Sequence, residues 1–157
     1  MRKFYIRLFL SVLFVISFTN CFSQLNNDTL KQVFSSNIFT LDEDYTGDWG
    51  GYWLTFTFTV KGNEIRIQWK NPELLKNGKD MDILLPISVL NNLENIFSNC
   101  FQKIMISKNG STEHILYKFK NKNITYVIDD RYTMVCYDDF KAWKEMIIFE
   151  WKKQEKK

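Results

Sequence analysis

Between Tyr52 and Val60 the chain alternates without a break. Tyr52, Leu54, Phe56, Phe58 and Val60 fall on one side, and Trp53, Thr55, Thr57 and Thr59 on the other. A period of two marks a strand with one buried and one solvated face. Ile65 to Lys70 repeats the pattern, and Gly62-Asn63 between them supplies a two-residue turn. Pairing outward from that turn sets Lys61 opposite Glu64, Val60 opposite Ile65, Phe58 opposite Ile67 and Phe56 opposite Trp69. On the other face Thr59 meets Arg66, Thr57 meets Gln68 and Thr55 meets Lys70. A slip of one residue would set apolar against polar at every pair, so the pattern itself specifies the register.

The flanking segments read less sharply. Gln24 to Leu41 fits either a short helix capped by Asn27 or Asp28 or an extended segment. Asp42 to Gly51, acidic and with glycines at 47, 50 and 51, reads as a loop. Met81 to Leu85 is a short apolar strand. Ser88 then caps a helix whose Leu90, Leu93, Phe97, Cys100 and Phe101 recur at helical spacing. The rest reads as a meander. Lys103–Lys108 turns at Asn109-Gly110 into Ser111–Lys120, followed by Ile124–Ile128 and Tyr132–Tyr137. A last helix begins at Asp138 or Asp139 and carries Phe140, Trp143, Ile147 and Trp151 as its apolar stripe. The expected fold class is therefore α+β: an antiparallel sheet, made of an N-terminal hairpin plus a C-terminal four-stranded meander, packed with two amphipathic helices.

The N-terminus changes the picture of where this domain begins. A basic flank (Arg2, Lys3, Arg7) precedes an apolar run from Leu8 to Phe18, as in a secretory signal. As a helix the run would span roughly 16 Å, about half a hydrocarbon core, which argues against a permanent span. The small side chains of Cys21 and Ser23 place cleavage between Ser23 and Gln24. The expectation is a signal peptide over 1–23, a single domain over 24–157, and a secreted or periplasmic location. Cys21 admits a second reading as a lipid attachment point, although Asn20 precedes it where a small residue is usual.

Export alters the charge argument. The full chain carries 21 Lys+Arg and 18 Asp+Glu, a formal charge of +3. Loss of Arg2, Lys3 and Arg7 leaves basic and acidic residues equal in number, and the surplus that nucleic-acid binding requires disappears. Export also leaves two cysteines, Cys100 and Cys136, which an oxidising compartment would join as a disulfide; two buried free thiols are the alternative.

Candidate chemistry is sparse. Asp42, Asp44, Thr46 and Gly47 match the first half of a calcium loop, but Trp53 stands where the bidentate Glu should be. His114, the one histidine, pairs with Asp129 in the expected meander, with Ser107 diagonal to it. A serine at a regular strand end lacks the elbow and oxyanion hole a nucleophile needs, so a hydrolase is a remote reading. One histidine and two distant cysteines make no zinc site, and neither a P-loop nor a dinucleotide fingerprint is present, so no metal and no cofactor is expected. The feature that stands out is the polar face of the first hairpin. Trp53, Arg66 and Gln68 lie there with the threonines, and Trp49 and Tyr45 fall in the adjoining loop. An aromatic ring beside Arg and hydroxyl groups has the make-up of a binding hot spot. The expected function is a secreted, non-enzymatic binding domain for a protein partner. The alternative is a small-ligand or carbohydrate binder with an aromatic-lined pocket.

Overall fold

The computed structural model describes residues 28–47, 50–70, 80–106, 114–130 and 135–156. A short helix, α1 (residues 28–34), leads into β1 (Ile38–Gly47). Then follow β2 (Gly50–Lys61), β3 (Glu64–Lys70), β4 (Met81–Pro86), α2 (Ser88–Ile106), β5 (His114–Lys120), β6 (Thr125–Asp130) and α3 (Val135–Glu155). The strands form one six-stranded antiparallel sheet in the order β4-β3-β2-β1-β5-β6. The fold is α+β, with three helices on one side of that sheet.

The β2–β3 register is the one the alternation predicts at all seven pairs, from Lys61↔Glu64 to Thr55↔Lys70. Gly62 sits in its turn at φ 63°, left-handed backbone that glycine adopts without strain. The segment read as an acidic loop is instead the end of β1 and the start of β2, and its Tyr45 is a strand residue. Asp44 pairs with Trp53 and Tyr45 with Tyr52 across this hairpin, and Gly50 at φ 119° lets the chain reverse. Residues 28–41 combine the two readings offered for that segment, a helix first and a strand after it.

The expected four-stranded meander shrinks to the hairpin β5–β6. Residues 103–106 are the last turn of α2, and β5 pairs with β1 rather than with an earlier meander strand. Topology gives the reason. Four successive antiparallel pairings, along the path β4-β3-β2-β1-β5, leave β4 running in the same direction as β5. Strands that run the same way need a crossover long enough to traverse the sheet, and α2 is that crossover. The expected strand over Tyr132–Tyr137 is corrected at residues 135–137, which are the first turn of α3. The buried carboxylate of Asp130 accepts the Cys136 amide at 3.0 Å and ties down the first turn of the helix. Asn109-Gly110, Tyr132 and Met134 lie outside the described residues.

The core fills the space between sheet and helices with aromatic rings. Phe56 lies tilted against Trp69 (4.6 Å between centroids) and meets Phe140 and Trp143 edge-on. Phe97 of α2 meets Tyr117 and Phe119 of β5, and Phe34 of α1 meets Phe39 and Phe119. Trp143 Nε1 donates to the Val89 carbonyl at 3.3 Å and joins α3 to the start of α2. Each fully buried ring of this kind contributes about 1.5–3 kcal/mol over its exposed state. Among the described residues, three buried polar side-chain atoms find no hydrogen-bond partner: Trp69 Nε1, Tyr117 Oη and Tyr126 Oη.

The expected disulfide is not formed. Cys100 on α2 and Cys136 on α3 are both buried free thiols, hydrogen-bonded to each other. That bond, followed by burial, pushes the Cys136 thiol well above its ordinary value. No helix among the described residues is long and apolar enough to cross a membrane. Residues 1–23 and Cys21 lie outside the described residues.

Candidate functional site on the open face of the sheet

Every helix packs on the inner face of the sheet, where Phe39, Phe56, Phe58, Tyr117 and Phe119 point. Among the described residues nothing covers the outer face. Because side chains alternate along a strand, the registers fix what that face displays. One row across it reads Asp82, Gln68, Thr57, Thr40, Lys120, Thr125. The next reads Lys70, Thr55, Asp42, Lys118, Val127, and beyond it lie Trp53, Asp44, Leu116 and Asp129. Toward the other end come Leu84, Arg66, Thr59 and Ile38.

Two properties distinguish this surface. Of the five large apolar side chains exposed among the described residues, Trp53, Ile38, Leu84 and Val127 stand on it, and Phe149 lies elsewhere. Trp53 is the most exposed of all, at 69 %. The charges, in turn, largely satisfy one another within the face. Arg66 grips Asp82 with two parallel hydrogen bonds, Nε–Oδ1 at 2.8 Å and Nη2–Oδ2 at 2.5 Å, and Gln68 Nε2 adds a third at 3.1 Å. This fork holds the Asp82 carboxyl below its ordinary range and raises the Arg66 guanidinium. Asp42 accepts from Thr55 Oγ1 at 3.0 Å and faces Lys120 at 3.6 Å. His114 Nε2 meets Asp129 Oδ1 at 2.9 Å.

The structure thus sets three of the expected binding residues, Trp53, Arg66 and Gln68, on one uncovered surface, while Trp49 lies outside the described residues. Tyr45 does not join them. It faces the helices and stacks on Tyr52 at 5.1 Å. The partial calcium loop is corrected too. Asp42 and Asp44 sit on an extended strand, which cannot wrap a cation, and no cluster of metal-ligating side chains occurs among the described residues. His114 and Asp129 do meet, but two residues out of the expected register, since Asp129 pairs with Leu116. Ser107 lies outside the described residues.

A second polar cluster escaped the sequence reading. Glu43, on the inner face of β1, binds Lys144 of α3 at 2.6 Å and accepts from Tyr52 Oη at 3.2 Å. The ammonium also sits over the Phe140 ring at 4.8 Å. The available signal was the period-two run Phe39, Leu41, Glu43, Tyr45, which puts a carboxylate at an inward position. Both charged groups are buried and occupied by each other, which suits a structural role.

These features define a two-layer α+β protein with an aromatic core and one uncovered, charge-balanced sheet face. No family model matches the chain, and no curated protein matches it in sequence.

Proposed function

We propose that this protein is an exported, non-enzymatic binding domain that holds a protein partner on the outer face of its sheet. The observation that supports this most is that Trp53, Ile38, Leu84 and Val127 all stand exposed on the one uncovered face, Trp53 the most exposed of them. Exposed apolar side chains spread over a protein need no explanation, whereas their restriction to one face of the sheet favours that face as a contact surface. Charges already paired within the face favour a partner recognised by shape and apolar contact rather than by opposite charge. Trp53 is the anchor, and Arg66 and Gln68, held rigid by Asp82, present a preorganised polar border. Export rests on the basic and apolar N-terminal pattern over residues 1–23.

The test is affinity for a partner isolated from the compartment into which the chain is exported. Trp53→Ala should weaken binding by about 30-fold, the effect of a hot-spot side chain, while Phe149→Ala on α3 leaves it unchanged. Full affinity in the Trp53→Ala protein overturns the assignment. A carbohydrate ligand is the second reading, favoured by the same exposed indole beside Thr55 and Asp44. The ring-filled interior speaks against the pocket version of it. Saturable binding of a neutral glycan, lost in Trp53→Ala, would select it over a protein partner.

A further inference from the structure

The two edges of the sheet are finished differently. In an antiparallel ladder successive residues direct their N–H and C=O groups alternately to one side and the other. Three closing bonds fix that alternation here. Val60 N–H donates to Asn37 O at 2.8 Å, Ile87 N–H to Asn63 O at 2.9 Å and Asn121 N–H to Ile124 O at 3.0 Å. Carried through the five registers, they turn the backbone groups of Asp82, Leu84 and Pro86 to the outside of β4. They turn those of Thr125, Val127 and Asp129 to the outside of β6.

The β4 edge is closed in part. Gln154 Nε2 from the end of α3 donates to the Leu84 carbonyl at 3.2 Å, and Pro86 has no N–H to offer. The β6 edge, Thr125-Tyr126-Val127-Ile128-Asp129-Asp130, contains neither proline nor lysine, the usual guards of a free edge. Among the described residues no backbone group bonds to the outward N–H and C=O of Thr125 and Val127. Val127 also leaves 47 % of its surface exposed. Such a row of groups accepts one kind of occupant, an extended backbone.

We propose that this occupant is β6 of a second copy of the chain, paired antiparallel about a two-fold axis at Tyr126. The strand is self-complementary in that register. Thr125 faces Val127′ on the outer side, and each residue's outward groups bond the other's, giving four backbone hydrogen bonds by two-fold symmetry. On the inner side Tyr126 faces Tyr126′ and Ile128 faces Ile124′, apolar against apolar. Asp129 falls opposite Asn123′, so no like charges meet. The result is a continuous twelve-stranded sheet. Its doubled outer face is available whether or not the function proposed above holds, since neither reading depends on the other.

The measurement is sedimentation equilibrium on the purified protein over a wide concentration range. This interface belongs to the smallest class of protein contacts, so a reversible monomer–dimer equilibrium is expected rather than a permanent dimer. Val127→Pro removes one outward N–H that the fold of a single chain does not use, and should weaken the dimer at least tenfold, about 1.4 kcal/mol. Leu84→Pro makes the same change on the β4 edge and should leave the dimer intact. Circular dichroism verifies that both variants keep the fold. A protein monomeric at every concentration, or a dimer indifferent to Val127→Pro, overturns the proposal. So does a dimer equally weakened by Leu84→Pro.

Discussion

Glu43 and Lys144 meet inside the protein, the carboxylate of a central strand 2.6 Å from the ammonium of the last helix, and neither is open to solvent. Burial pushes the Glu43 carboxyl above its ordinary 4.5 even though Lys144 and Tyr52 pull it down. Burial likewise lowers the Lys144 ammonium below 10.5 against the opposing pull of Glu43. Desolvation therefore outweighs attraction for both partners. Lys144→Met alone strands a buried carboxylate and should cost about 3–5 kcal/mol in urea unfolding. Replacing both residues by methionine should cost far less or stabilise the fold.

The same shifts give a pH dependence with a definite sign. The raised Glu43 binds its proton more tightly when folded. Its contribution is full below 4.5 and is lost as pH rises through the folded value. The lowered Lys144 releases its proton more readily when folded, so stability returns as pH climbs toward 10.5. Compared with the double methionine variant, the wild-type protein should lose stability from acid to neutral pH and regain it in alkali. Urea midpoints of the two proteins across that range are the check.

Trp53 and Phe56 stand three residues apart on opposite faces of β2 and should behave oppositely. Phe56 is wholly buried among Trp69, Phe140 and Trp143. Phe56→Ala should cost about 3–5 kcal/mol through lost burial and the cavity left behind. Trp53→Ala, on the open face, should shift stability by less than about 0.5 kcal/mol. Thermal or chemical unfolding distinguishes the two, and a large loss in Trp53→Ala would mean that another segment covers the ring.

Cys100 and Cys136 should resist alkylation in the native protein and react fully once it is unfolded. Both are buried, and the raised Cys136 thiol carries little of the reactive thiolate. Mass spectrometry after a timed iodoacetamide pulse, with and without denaturant, reads this directly. Rapid native labelling of either residue would contradict the packing between α2 and α3.

Sequence alone determined what local periodicity can carry. Strict alternation from Tyr52 to Val60 and from Ile65 to Lys70 fixed two strands, their pairing and their exposed face, because a slipped register would have buried threonines and exposed phenylalanines. That same local rule put Trp53, Arg66 and Gln68 on one face of the hairpin, with Arg66 and Gln68 side by side. Periodicity misled where distant contacts decided. Ile104 and Ile106 alternate like strand residues, yet the common direction of β4 and β5 required a helical crossover through them. Met134 and Cys136 alternate too, but the Asp130 carboxylate at the Cys136 amide begins a helix there. Only the tertiary structure brought Glu43 to Lys144, placed β5 beside β1, and closed one sheet edge in part while leaving the other bare. Each of these depends on residues far apart in the chain, whose meeting is set by the direction in which whole strands and helices run.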